Sequence, residues 1–586
     1  MPVVGTAGHV DHGKSTLLRA LTGRDPDRWA EEKRRGLTID LGFTWMTLPS
    51  GREVSFVDVP GHQRYARNML AGIEAIDLAL LVVAADEGWM PQTEEHLAIL
   101  DLFGIHRGIV VISKIDLVDE DLRELASLEA EEMITGTSLQ DSPIIGVSAH
   151  TGAGVDELIR AMDGILGPLV TSATGTPRMW VDRAFAITGA GTVVTGTLQD
   201  GSVELADELT AWPGGDTVRV RSIESHEQRL QKVEPHTRVA LNLSGADVAR
   251  VGRGTMLSRA GEWDPTDSLI GRLSPVARAA ETPERGSFQL HIGSAWASMS
   301  MRRLEDDFYL VRLDRPLPLR VTDRFAVRDS GRQAVVAGGV VLDPAPGRRP
   351  RRSLASLRTI GTTGDSSDIA QAILEARGRE TLARLRAHTG GSPQGATVID
   401  EAAYSDAEIS RMVNAISAMV DRFHEDRPLR VGMPLSHVAS TLGVSTRTVE
   451  AVTGTVETLT VAGPHLAHTG HIAHPTPAEE LQWNAARELL LEAGLAVPRV
   501  TELGLGDEHL HFLLRTGRLV RVSEEFTYLP EQVAHLKTLL GSMGRVFALA
   551  DVREATSLSR LHLIPILEWS DREGITIREG DNRRLR

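Results

Sequence analysis

No cysteine occurs anywhere in the 586 residues, which excludes disulfides, thiolate metal sites and a cysteine nucleophile. No apolar run reaches the length of a bilayer span. The start, Met1-Pro2-Val3-Val4-Gly5-Thr6, has neither a basic n-region nor a long apolar core, so no signal peptide is expected. Positive charge is also in short supply: 63 Lys and Arg stand against 79 Asp and Glu, a net charge of −16. Any contact with nucleic acid must therefore come from local patches. These absences lead to the expectation of a soluble cytoplasmic protein with no membrane partner. A hydrophobic share of 41% and a charged share of 24% are ordinary for globular chains, and the length suggests several domains, about four by the usual domain size.

What is present begins almost at once. Gly8-His9-Val10-Asp11-His12-Gly13-Lys14-Ser15 follows an apolar strand pattern and precedes a helical one, Thr16-Leu17-Leu18-Arg19-Ala20-Leu21. Strand, glycine-bounded loop and helix together make a phosphate-binding P-loop, whose backbone N–H groups turn inward at the helix N-terminus. The loop residues Asp11, His12, Gly13, Lys14, Ser15 and Thr16 are the expected nucleotide ligands. Lys14 supplies a mobile charge for the β- and γ-phosphates, and the Ser15 hydroxyl is placed for Mg²⁺. Thr38, in the polar stretch ending Arg35-Gly36-Leu37-Thr38-Ile39, is the candidate to complete the Mg²⁺ shell when the γ-phosphate is present. Asp58, at a strand end in Asp58-Val59-Pro60-Gly61-His62, is expected to hold Mg²⁺ through water, with the Gly61 N–H meeting the γ-phosphate. His62 is the candidate catalytic residue, orienting the attacking water as glutamine does in other GTPases.

Apolar runs at 77–85 and 108–113 read as strands buried on both faces of a parallel sheet. The second exits into Ser113-Lys114-Ile115-Asp116. Asp116 suits guanine, whose N1–H and exocyclic amine it accepts together, and the Lys114 stem can cover the base. The usual Asn-Lys-x-Asp motif carries Ser113 in its first position here. Ser148-Ala149-His150, after the strand at 144–147, resembles the loop that meets the guanine oxygen. Alternating strands and helices give a doubly wound α/β domain over 1–172.

These motifs resemble the translational GTPases of the elongation-factor Tu type. That resemblance implies an apolar gate at Val10 and Leu37 beside His62, and two β-barrels after the GTPase domain. Short strands between turns agree over 173–258 and 259–345, for instance Gly191-Thr192-Val193-Val194 and Phe288-Gln289-Leu290-His291-Ile292. The Pro/Arg stretch 343–352 reads as a hinge, too polar and Pro-broken to join a core.

Beyond it, helix–turn–helix patterns followed by hairpins suggest winged helices over 352–410, 411–476, 477–534 and 535–586. In one of them Gly443 turns the chain and Ser445 caps the second helix; Asp507 is a second cap candidate. The fold class expected is thus multidomain: α/β, then all-β, then a tandem winged-helix tail.

A Tu-like body with such a tail resembles the bacterial selenocysteine-specific elongation factors. The resemblance implies a GTPase stimulated by the ribosome, with GTP/GDP and Mg²⁺ as cofactors. It further implies delivery of selenocysteinyl-tRNA to the A site at UGA, selection by an mRNA hairpin held by the tail, and a monomer. Asp182, Arg183 and Arg238 match the family's aminoacyl pocket. There cationic side chains would favour a selenol, largely ionised at neutral pH, over the neutral hydroxyl of serine. Residues 535–586 carry nine Lys/Arg against seven Asp/Glu, a local +2 in an acidic chain. Arg545, Arg553, Arg560, His562, Arg583 and Arg584 are the expected RNA contacts. Two other readings share the P-loop: another Tu-like factor, and a GTP-switched regulator that uses winged helices on nucleic acid.

Overall fold

The computed structural model describes residues 2–25, 41–60, 66–73, 76–167, 175–187, 191–245, 247–276, 282, 284–360 and 364–586. The chain divides into two compact units, Met1–Ser405 and Asp406–Arg586.

The first unit opens with a six-stranded sheet: β1 (Val3–Ala7), β2 (Gly42–Thr47), β3 (Glu53–Asp58), β4 (Leu78–Ala84), β5 (Gly108–Ser113) and β6 (Ile144–Gly146), in the order β2-β3-β1-β4-β5-β6. Only β2 runs antiparallel to its neighbour. Every residue of β4 and β5 is buried, and alternate side chains enter two different cores. Ala79, Leu81, Val83, Val110 and Ile112 pack with α2 (Ala66–Ile73), α3 (Pro91–Phe103) and α4 (Glu120–Ile134). Leu78, Leu80, Val82, Ile109 and Val111 pack with α1 (Lys14–Thr22) and α5 (Val155–Ile165). Period-two side chains with helices on both faces are what make these strands continuously apolar.

The next sheet contains β7 (Arg178–Ile187), β8 (Gly191–Asp200), β10 (Glu208–Trp212), β11 (Asp216–Ser225), β14 (Thr237–Ser244) and β15 (Met256–Ser258). These six close through a β10–β11 pairing, and β12 (Gln228–Leu230) extends β11 as a hairpin. Two short strands, β9 (Val203–Glu204) and β13 (Lys232–Val233), pair with each other. On β14, Val239, Leu241 and Leu243 point into the barrel core, which leaves Arg238 on the outer face. A bulge interrupts β7: Val181 opposes Gly196 and Arg183 opposes Thr195, so Asp182 has no partner across the ladder.

The second barrel closes in the order β16-β19-β18-β17-β20-β21 (Thr266–Pro275, Phe308–Leu317, Ala295–Glu305, Phe288–Ile292, Arg324–Asp329, Ala334–Asp343). It abuts the GTPase domain, because Gly338 has no Cβ to stand 2.4 Å from Leu102 on α3.

The first tail module, with helices Ser366–Arg377 and Leu382–Thr389 and a three-stranded sheet, belongs to this same unit. This corrects the hinge expected at 343–352. The arginines at 348, 349, 351 and 352 are exposed as expected, but both ends are pinned. Asp343 binds Arg377 at 2.6 Å with both side chains under 10% exposed. Leu354 and Leu357 share a core with Ile270, Phe308 and Leu342 of the barrel.

The second unit begins directly with the helix Asp406–Asp426, whose buried face carries Met412, Ile416 and Val420. A limit at 410/411 would cut that helix, and one at 534/535 would cut Pro530–Ser542. Both borders therefore move to the helix starts. The helices Leu435–Leu442 and Thr446–Thr453 flank Gly443 (φ 64°), and the Ser445 hydroxyl accepts the Thr448 N–H at 3.0 Å. Asp507 is the first residue of its helix, and Gly506 occupies the cap position. The last two modules are built on one core that runs from Trp483, Leu490 and Tyr528 to Leu540, Leu563 and Trp569.

Candidate functional site

The phosphate loop is held by side chains from three directions. Gly8 has φ 129°, and a Cβ there would lie 2.2 Å from the Val82 carbonyl oxygen, so only glycine fits. Its N–H donates to His96 Nδ1 at 2.9 Å, while the Val10 N–H donates to Gln92 Oε1 at 2.9 Å. Gln92 and His96 are one turn apart on α3; the sequence reading missed them, although their i, i+4 spacing was the available signal. His12 turns inward, with Nδ1 3.2 Å from the Val82 carbonyl, and burial pushes its pKa down to about 4. Its side chain is thus a neutral pin between loop and sheet.

Lys14 is buried at the start of α1, and its ammonium donates to the carbonyls of Gly8 (3.0 Å) and His9 (2.6 Å). Burial lowers its pKa to about 8 against the raising effect of Asp58 and Asp11. A desolvated cation so placed is stabilised by a bound polyanion. Ser15 donates to Asp58 Oδ2 at 2.6 Å, and Thr6, also missed in the sequence, donates to Oδ1 at 2.7 Å. A hydroxyl and a carboxylate converging at a strand end are hard oxygen donors that fit Mg²⁺. Thr16 is exposed on α1 and Val10 half-buried. Leu37, Thr38, Gly61 and His62 lie outside the described residues.

On the guanine side, the Ser113 hydroxyl donates to the His12 carbonyl at 2.7 Å, which ties the end of β5 to the phosphate loop. Lys114 sits in the left-handed region (φ 56°) and its ammonium meets Asp86 at 3.3 Å and Glu87 at 3.1 Å, leaving its stem to flank a base. The exposed Asp116 carboxyl is held below the usual carboxylate range by a hydrogen bond from Ser148. Ser148 is buried; its hydroxyl accepts the Thr151 N–H at 3.0 Å, shaping the turn that contains Ala149.

The second constellation lies where β2 meets the first barrel. Arg238 forks onto Asp182 at 2.6 and 3.2 Å, and Thr195 donates to the same carboxylate at 2.7 Å. The bulge at Asp182 aims this carboxylate at β14. Arg183 donates to the Leu41 carbonyl, and the Phe43 ring covers Arg238 with 3.3 Å from guanidinium carbon to ring centroid. A cavity of about 280 Å³ opens beside them, walled by Phe43, Trp45, Arg183, His226 and Arg238. All three expected pocket residues lie together, with Arg238 bonded to Asp182 and Arg183 to the Leu41 carbonyl. Each charge is already satisfied by the protein.

The tail divides the expected RNA contacts. Arg545, Arg553 and Arg560 are exposed. Arg583 is buried against Asp571 at 3.0 Å, Arg584 binds Glu579 at 2.7 Å, and His562 lies 2.9 Å from the Val497 carbonyl and packs on Phe526. His562 ties the last module to the one before it, Arg583 braces the last module's own hairpin against its helix, and Arg584 is paired on the surface, which leaves Arg545, Arg553 and Arg560 as the exposed candidates.

Comparison with known proteins agrees along the full length. Residues 1–168 match the family model "Elongation factor Tu GTP binding domain", and 538–585 match "Elongation factor SelB, winged helix". The selenocysteine-specific elongation factor of Desulfomicrobium baculatum is 34% identical over all of both chains. The chain belongs to the selenocysteine-specific elongation factors. The Escherichia coli K12 factor is 31% identical over 100% of this chain and 98% of its own. A crystal structure of a bacterial selenocysteine-specific factor superposes with a TM-score of 0.71 at 27% identity, covering all of both chains. This elongation factor is therefore a GTPase that binds guanine nucleotide, with a Tu-type GTPase domain, two closed six-stranded barrels and a C-terminal winged-helix domain. Among the described residues no helix is long and apolar enough to cross a membrane.

Proposed function

We propose that the chain, as a monomer in the cytoplasm, carries selenocysteinyl-tRNA in its GTP-bound form and releases it into the ribosomal A site at UGA codons marked by an mRNA hairpin. The observation that carries this reading is the Asp182–Arg238 pair on the β7 bulge beside Arg183. Two guanidinium groups around one carboxylate leave a net positive pocket, which rewards an ionised selenol and gives serine's neutral hydroxyl no matching gain. Asp182 would exchange its fork with Arg238 for the aminoacyl amine, which frees Arg238 for the selenolate.

In the nucleotide site, Lys14 and the loop N–H groups bind the β- and γ-phosphates, and Asp116 selects guanine. Ser15 and Thr38 would hold Mg²⁺ directly and Asp58 through water; the ion, when bound, draws charge from the phosphate oxygens. His62 would orient the attacking water behind the gate of Val10 and Leu37. The hairpin would be read at Arg545, Arg553 and Arg560.

The test is ester protection. With GTP, the chain should slow spontaneous hydrolysis of selenocysteinyl-tRNA far more than that of seryl-tRNA. Equal protection of both would refute the pocket.

A further inference from the structure

Between the second barrel and the first tail module lies a cavity of about 850 Å³ whose walls include six arginines and three carboxylates. Its floor is neutralised: Arg377 is bound to Asp343 and Glu380, and Arg384 to Asp264 and Glu380. Its rim is not. Arg348, Arg349 and Arg352 line it, Arg351 lies beside them, and all four are exposed without a side-chain partner among the described residues. They fall within five consecutive positions, interrupted by Pro350, of a chain whose net charge is −16.

Four unpaired like charges repel one another, so the fold must hold them together, and it does. The turn Pro350–Ser353 is fixed by a Ser353 hydroxyl bond to the Pro350 carbonyl at 2.8 Å. The buried Asp343–Arg377 pair anchors it on one side, and buried Leu354 and Leu357 on the other. A basic run on a rigid turn over a large concave surface differs from a loosely solvated tail. The choice of arginine throughout the run, with no lysine, suits bidentate contact with phosphate oxygens. No aromatic side chain lines the cavity, so the aromatic platform used by readers of splayed-out bases is missing.

We infer that this groove is a sequence-independent binding site for the phosphate backbone of a folded RNA stem, distinct from the aminoacyl pocket and from the terminal winged helix. The inference rests on the reading of the chain as an RNA carrier and adds a third anchoring point to it. The groove shares the compact unit Met1–Ser405 with the aminoacyl pocket, so its occupant is a stem of the carried tRNA rather than the mRNA hairpin.

The experiment uses the full chain and a triple variant, Arg348→Ala, Arg349→Ala and Arg352→Ala. Affinity for selenocysteinyl-tRNA with GTP, and separately for the isolated hairpin, is measured across a potassium chloride series. Three lost phosphate contacts should reduce the slope of log affinity against log salt by about 2 to 3 for the tRNA, with at least tenfold weaker binding near 0.1 M salt. A loss in the tRNA arm supports the inference; a loss confined to the hairpin arm overturns it. The matching triple Lys variant should keep most of the slope. Melting temperature and GDP affinity should be unchanged, since none of these side chains enters the core or the nucleotide site. Equal slopes for variant and wild type on both RNAs overturn the inference, as does a loss seen with dextran sulfate but with neither RNA. Failure of the aminoacyl pocket reading would show separately, as equal ester protection of the two aminoacyl-tRNAs by the wild-type chain.

Discussion

Phe43 and Arg238 belong to different domains, yet the ring lies flat enough over the guanidinium to leave 3.3 Å between its centroid and the guanidinium carbon. Phe43 lies five residues after Thr38 in the chain, so the cover on Arg238 follows directly on the residue proposed to sense the γ-phosphate. Such a contact contributes roughly 0.5–2 kcal/mol when partly desolvated. Phe43→Ala should therefore speed association of selenocysteinyl-tRNA about fivefold, leaving GDP affinity unchanged. Stopped-flow binding checks this, and an unaltered association rate would remove Phe43 as a cover.

Arg238→Ala strands Asp182 in a nearly buried site with Thr195 as its one remaining side-chain partner among the described residues. Breaking a buried pair from one side costs on the order of 3 kcal/mol, whereas replacing both partners costs much less. The double variant Asp182→Ala/Arg238→Ala should thus melt closer to wild type than Arg238→Ala does, and both should lose preference for selenocysteinyl- over seryl-tRNA. Additive melting shifts would contradict the coupling.

Ser113→Ala removes the bond from β5 to the phosphate loop. At about 1 kcal/mol for a net hydrogen bond, GDP binding should weaken roughly fivefold, without loss of guanine preference over adenine. Isothermal titration with GDP and ADP distinguishes this from a change at Asp116.

In the terminal module, the triple variant of Arg545, Arg553 and Arg560 to alanine should lower the salt slope of hairpin binding by about 2 with an unchanged melting temperature. Arg583→Ala should do the opposite, lowering the melting temperature by leaving Asp571 with one partner fewer. Identical behaviour of the two variants would show that burial does not separate their roles.

His424 stacks on His471 with ring centroids 3.6 Å apart, near His468, which is paired with Asp421 at 2.6 Å. Burial, then the charges of His471 and His468, push its pKa down to about 4 from 6.5. The unfolded chain takes up the proton first, so the stability tied to neutral His424 is complete above pH 6.5 and is lost as pH falls toward 4. Thermal melts of the second unit should decline over that window, and His424→Phe should flatten the decline. A parallel pH profile in the variant would exclude His424 as the source.

Local chemistry made much of this legible before the structure. The loop at Lys14, the doubly buried strands and the Ser445 cap depend on neighbours within a few residues, and periodicity reports them. The remainder depends on partners far along the chain. Phe43 meets Arg238 across nearly two hundred residues, and no local pattern announces a bulge at Asp182. The segment 343–352 has the composition of a linker, but Asp343 is locked by Arg377, a residue the run itself does not contain. Arg583 and His562 look like any other basic residues of the tail until burial sorts them from Arg553 and Arg560.

The single core from Trp483 to Trp569 has a practical meaning for heredity as well as folding. The segment matched by the winged-helix model, 538–585, stops in the middle of that core. Cut there, the part of the core within 538–585 would lose the part that Trp483, Leu490 and Tyr528 supply and would face water instead. The smallest piece that keeps this core nearly whole is therefore the pair of modules from Thr476 onward, and, on the proposed reading, mutations in the penultimate module should weaken hairpin binding without contacting the RNA.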